Sequence, residues 1–156
     1  GNIEVLSLLL AKGANPSTKN RGGTTALHLA GLCRGGTFEE SRPLSQSQHC
    51  QPMALQLLQA GADPNTVMPE TGVRPLHLFA DQKAEDVVRL LLEKGADPNA
   101  AMTDGSTALH VVGELQKDAQ RAAVVLLLLK SGADPTLSDQ SGARPDVADV
   151  VGALAS

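Results

Sequence analysis

The sequence predicts an all-α solenoid of roughly four stacked helix-pair repeats, and three observations predict it. One phrase returns four times in the chain, as Gly13-Ala-Asn-Pro, Gly61-Ala-Asp-Pro-Asn, Gly95-Ala-Asp-Pro-Asn and Gly132-Ala-Asp-Pro-Thr. A second glycine follows ten or eleven residues later each time, at Gly23, Gly72, Gly105 and Gly142. A third phrase comes directly after it, reading Thr25-Ala-Leu-His28, Arg74-Pro-Leu-His77, Thr107-Ala-Leu-His110 and, more loosely, Arg144-Pro-Asp-Val147. Self-similarity in fixed order is the signature of a repeat array, in which each unit buries its apolar face only against its neighbours.

Each phrase has a local physical meaning. An apolar run such as Val87 to Leu92 precedes every first glycine and ends in a basic or small residue. The glycine therefore stands where a helix C-cap needs a left-handed backbone, and the helix stops. Asp-Pro-Asn and the second glycine then supply turn residues for an extended hairpin loop. Thr25 and Thr107 stand where a hydroxyl can cap the next helix, and Pro75 suits its first turn. The unit reads loop, short helix, turn, second helix.

The Gly-x-Thr-Ala-Leu-His, Val-Val-x-Leu-Leu-Leu and Gly-Ala-Asp-Pro-Asn-Ala stretches resemble the ankyrin repeat, whose period is about 33 residues. From His77 to His110 the spacing is 33, but from His28 to His77 it is 49 and from His110 to Val147 it is 37. The glycine-to-glycine distances barely change, so the surplus falls between the two helices of a repeat. One repeat domain over 1–156 is expected: 1–13 the second helix of a truncated repeat, 14–61 a repeat with a long insertion at about 34–51, 62–95 a repeat, 96–132 a repeat with a short insertion, and 133–156 a truncated last repeat. Neither end carries a polar cap, and we expect further repeats, at least on the N-terminal side.

Composition narrows the function. With 42% hydrophobic residues but no Trp, no Tyr and two Phe, the core must be built from Leu, Val and Ala. No apolar run approaches the roughly 18 residues needed to span a bilayer, so no membrane association is expected. The net charge of −4 and scattered Lys and Arg argue against nucleic acid. Two cysteines are too few for a disulfide scaffold, and an intracellular, reducing location in cytoplasm or nucleus is expected. Nucleophile elbows, phosphate-binding loops and metalloprotease motifs do not occur, so we expect no enzyme, no cofactor and no small-molecule substrate.

His28, His77 and His110 hold the same slot in three repeats, which points to one structural hydrogen bond per unit rather than to bases or metal ligands; the ankyrin resemblance implies the same. Asp63, Asp97 and Asp134 read as turn formers. The segment from Gly31 to Pro52 is read as a solvated loop; a Cys33–Cys50 disulfide and a metal site on Cys33, His49 and Cys50 are the lesser alternatives, since zinc sites bring paired ligands from both sides.

The ankyrin resemblance implies a protein partner on the concave face, formed by hairpin tips and inner helices. By register this selects Met68, Pro69 and Glu70 on one tip, Met102 and Thr103 on the next, and Asp81, Gln82, Glu114 and Leu115 along the inner helices. Met68 and Met102 either form an adaptable apolar contact or pack between the fingers. Leu55 and Leu126, in the slot of Ser7 and Arg89, are expected to face outward, a lesser contact surface. Asn65 and Asn99 stand where ankyrin proteins can be hydroxylated, but each follows a proline instead of the preferred aliphatic residue. An interaction or scaffold module is the main expectation; the alternative is a regulatory or substrate-recruiting domain of a larger enzyme or channel.

Overall fold

The computed structural model describes residues 3–33, 50–115 and 117–154 and places eight helices in them. These are α1 (Ile3–Ala11), α2 (Ala26–Leu32), α3 (Cys50–Gln59), α4 (Pro75–Asp81), α5 (Glu85–Glu93), α6 (Ala108–Gly113), α7 (Ala119–Lys130) and α8 (Ala148–Leu154). Helices α2, α4 and α6 pack in one row, α1, α3, α5 and α7 in a second, and α2 on α3, α4 on α5 and α6 on α7 form the pairs. The result is the expected all-α solenoid.

Leu27, Leu57, Leu58, Leu76, Val87, Val88, Leu91, Leu109, Val112, Val124, Val125 and Leu128 are buried between the rows, with Phe79 as the core aromatic. Helix α1 contributes no buried residue. Its Val5, Leu8 and Leu9 are exposed, as are Leu29 and Leu32 of α2, so the apolar surface is open at this end.

The helix stops follow the glycines. Gly13, Gly61, Gly95 and Gly132 all have φ between 86° and 91°. The following alanine N–H then bonds back to the helix carbonyl five residues earlier: Ala62 to Leu57 and Ala96 to Leu91 at 2.9 Å, Ala14 to Leu9 and Ala133 to Leu128 at 3.0 Å. This closes the last turn as a Schellman motif.

The structure adds three details. Helix α3 begins at Cys50, and the reading of the long insertion as a solvated loop concerns residues outside those described. Leu55 and Leu126 are half-buried against the core instead of facing outward. Helix α8 starts at Ala148, later in the repeat than α4, which starts at Pro75, the counterpart of Pro145. The reason is local: Val147 replaces the histidine that accepts the N-cap N–H in the other three repeats.

Candidate partner-binding surface

The hairpins set the geometry. Asp97 accepts the Asn99 N–H on its carboxylate at 2.9 Å, Asp63 that of Asn65 at 2.9 Å and Asp134 that of Thr136 at 2.8 Å. These Asx turns aim the asparagine into the next repeat. Asn65 donates to the Gly95 carbonyl (2.8 Å) and accepts the Asp97 N–H (2.9 Å). Asn99 does the same with Gly132 (2.9 Å) and Asp134 (2.7 Å). In the first hairpin Ser17 holds this slot and accepts the Asp63 N–H at 2.8 Å.

The tips form a second line of contacts. Each hairpin closes on itself: the N–H of Met68 donates to Val73 (2.9 Å), Met102 to Ser106 (2.8 Å) and Asp139 to Ala143 (2.9 Å). Neighbouring tips are then tied together, because the Thr103 N–H and hydroxyl both donate to the Thr71 carbonyl, at 3.0 and 3.1 Å. Gln140 extends the chain, donating its N–H to Asp104 at 2.9 Å and its side-chain amide to Thr103 at 2.7 Å. Gly72 permits the approach: a β-carbon there would lie 2.8 Å from the Thr103 nitrogen. On this edge Pro69, Glu70 and Thr103 are exposed, while Met68 and Met102 are half-buried.

The histidines lie beneath the tips, and His77 and His110 each bridge two repeats. The ring Nδ1 of His77 accepts the Arg74 N–H (3.0 Å), and its Nε2 donates to the Ala100 carbonyl of the next hairpin (2.9 Å). His110 repeats the pattern with Thr107 (3.1 Å) and Ala143 (3.1 Å). Since its Nδ1 accepts a backbone N–H, the His77 ring is the neutral Nε2–H tautomer. Burial lowers the pKa of His77, with the Ala100 carbonyl opposing and the Arg74 charge assisting. Burial likewise lowers that of His28, against the opposing carbonyls of Val73 and Thr66; its Nε2 has no partner within hydrogen-bonding geometry among the described residues. These rings hold the structure together, as the repeated placement suggested.

Along the inner helices the expected residues separate. Gln82 donates its amide to the Gly31 carbonyl at the end of α2, so it joins two repeats, and Asp81 beside it is half-buried. Glu114 is exposed and Leu115 half-buried, and both line an open cleft of about 360 Å³. Lys117, Asp139, Arg144 and Asp146 line it too, giving a mixed-charge wall in which Lys117 and Asp146 pair at 3.0 Å. The structure thus gathers Glu114 and Leu115 into one cleft and places Met68, Pro69, Glu70, Met102 and Thr103 on the finger edge.

One residue escaped the sequence reading. Arg121 is fully buried and donates to the carbonyls of Val112 (3.1 Å), Gly113 (3.5 Å) and Asp146, and to the Asp149 carboxylate. It stands eleven residues before Gly132, as Ala84 stands before Gly95 and Cys50 before Gly61. All three are buried. Counting back from the glycines would have found the slot, although an arginine in it reads as surface.

Comparison with known families matches residues 45–139 to the model described as ankyrin repeats, in three copies. No curated protein matches the chain.

Proposed function

Because the chain belongs to the ankyrin-repeat family, whose repeats are in general protein–protein interaction modules, we propose that it binds a partner protein through its hairpin tips and concave face. The observation that carries the reading is the tip edge. Its rigidity comes from hydrogen bonds to main-chain carbonyls, which leaves Pro69 and Glu70 exposed and Met68 and Met102 half-buried beside them. A pre-ordered edge loses little conformational freedom on binding. The inner-helix cleft at Glu114 and Leu115 extends the same surface, with charged groups suited to a polar rim. The repeated histidines and aspartates are engaged in the hairpins, and the proposal assigns them no catalytic step.

The test is capture from a cell lysate by four chains of equal thermal stability: the parent, a Met68→Asp, Met102→Asp double variant, Glu70→Arg as its milder companion, and an outer-helix control, Arg89→Glu. A protein retained by parent and control but lost from the tip variants supports the reading. Retention by all four refutes the tip surface, and loss from the control alone moves the site to the outer helices.

A further inference from the structure

The two cysteines flank the long insertion, Cys33 as the residue capping α2 and Cys50 as the first residue of α3. Their positions in the repeat are informative. Cys33 stands five residues after His28, as Gln82 stands five after His77. Cys50 stands eleven before Gly61, as Ala84 stands eleven before Gly95. In that next repeat the same two slots are only two residues apart, in the tight turn between α4 and α5. Two residues of chain span at most about 7 Å, and disulfides join α-carbons about 4.4–6.8 Å apart. The α2–α3 pair packs as the α4–α5 pair does, so the two slots return to the same neighbourhood despite the residues inserted between them. The two thiols are near enough for Cys33 to act on the ionisation of Cys50.

We propose that Cys33 and Cys50 form a redox-responsive dithiol that a low-molecular-weight disulfide of the glutathione type oxidises to an intramolecular disulfide across the base of the insertion. The two thiols have unequal roles. Cys33 is exposed, whereas Cys50 is buried. The Cys33 thiolate attacks one sulfur of the external disulfide, forming a mixed disulfide and releasing one thiol. Cys50 then loses its proton and attacks the Cys33 sulfur, forming the internal bond and expelling the second thiol. Two electrons and two protons pass from the protein to the external disulfide.

Burial, then the Cys33 hydrogen bond and charge, push the Cys50 thiol up to about 12. That keeps Cys50 silent as the first attacker and assigns the opening step to Cys33. Once Cys33 is in the mixed disulfide, its charge no longer opposes ionisation of Cys50. The chain has no third cysteine to compete. Among the described residues no cluster of three metal-ligating side chains includes the pair.

The test incubates the full chain in a series of reduced and oxidised glutathione ratios, blocks remaining thiols with iodoacetamide and reads intact mass and oligomeric state. The expected product is a monomer lighter by two hydrogens that takes up no iodoacetamide and is restored by dithiothreitol. Cys50→Ala, which places in this slot the residue found at Ala84, folds and stops at a stable glutathione adduct on Cys33. Cys33→Ser forms neither product and retains an unreacted Cys50 in the folded state. The proposal is overturned if the parent chain itself accumulates the adduct, forms an inter-chain dimer, or keeps both thiols under ratios that oxidise a small reference dithiol.

Discussion

Arg121 and Asp149 join two successive repeats: one guanidinium nitrogen of the buried arginine meets both oxygens of the carboxylate, at 2.8 and 3.1 Å. The remaining N–H groups serve the last carbonyls of α6, Val112 and Gly113, and the Asp146 carbonyl at the start of the last repeat. The short insertion before α7 is thereby closed by one side chain.

Arg121→Ala removes a donor from those carbonyls and opens a cavity, so it is expected to destabilise the chain by about 3 kcal/mol. Arg121→Met keeps the apolar volume and should cost less. Asp149→Asn should cost least, because that carboxylate is partly open to water. Urea denaturation of the three variants gives the order directly, and equal midpoints would refute it.

Acid should weaken the fold in two windows. His28 and His77 have pKa values lowered from 6.5, so below that pH the unfolded chain binds more protons than the folded one. Their contribution is complete above about 6.5 and is lost as pH falls through the lowered values. Asp118, Asp134 and Asp139 are held below 3.8, first by hydrogen bonds from Lys83, Thr136 and Ser141 respectively. Asp149 is also lowered, since Arg121 outweighs its desolvation. These carboxylates contribute above 3.8 and lose their contribution as pH falls through their folded values. The melting temperature is expected to drop between pH 7.5 and 5.5, and His77→Asn to flatten that slope.

Asn65→Ala removes both side-chain bonds to the neighbouring hairpin and should cost about 1–2 kcal/mol. Asn99→Ala should cost the same. Each asparagine serves a different junction, so the double variant should show nearly the sum in chemical denaturation. A marked shortfall would mean that the two junctions are coupled.

Gly95→Ala and Gly72→Ala separate backbone strain from close packing. At Gly95 φ is 87° and a β-carbon would meet nothing within 4 Å, so only the left-handed backbone opposes the change, at about 1 kcal/mol. At Gly72 the β-carbon would also strike the main chain of Met102 and Thr103, and the loss should be about twice as large. Gly72→Ala should additionally weaken capture of a partner at the tips. Thermal melts and binding measured on the same samples would show whether the two losses part.

Much of this architecture was legible because the same physical problem is solved repeatedly. A glycine that ends α5, an aspartate that closes the turn and a histidine that bridges to Ala100 recur in one order at nearly constant spacing, so each copy identifies the others. The candidate surface was legible only by register. Nothing in the chain order indicates that Gln82 reaches back to Gly31, or that Glu114 and Leu115 share a cleft with Asp139 and Arg144. Arg121 was hidden because its burial depends on carbonyls from three separate segments. The late start of α8 was signalled by Val147, which lacks an acceptor nitrogen.

The junctions between repeats are made largely to main-chain atoms: His77 to the Ala100 carbonyl, Asn65 to Gly95 and Asp97, Thr103 to Thr71. Such a joint is indifferent to the neighbouring side chain. If the tips bind a partner as proposed, mutational drift at Glu70 retunes recognition with no compensating change in the adjoining repeat, so the tip edge can evolve separately from the joints beneath it.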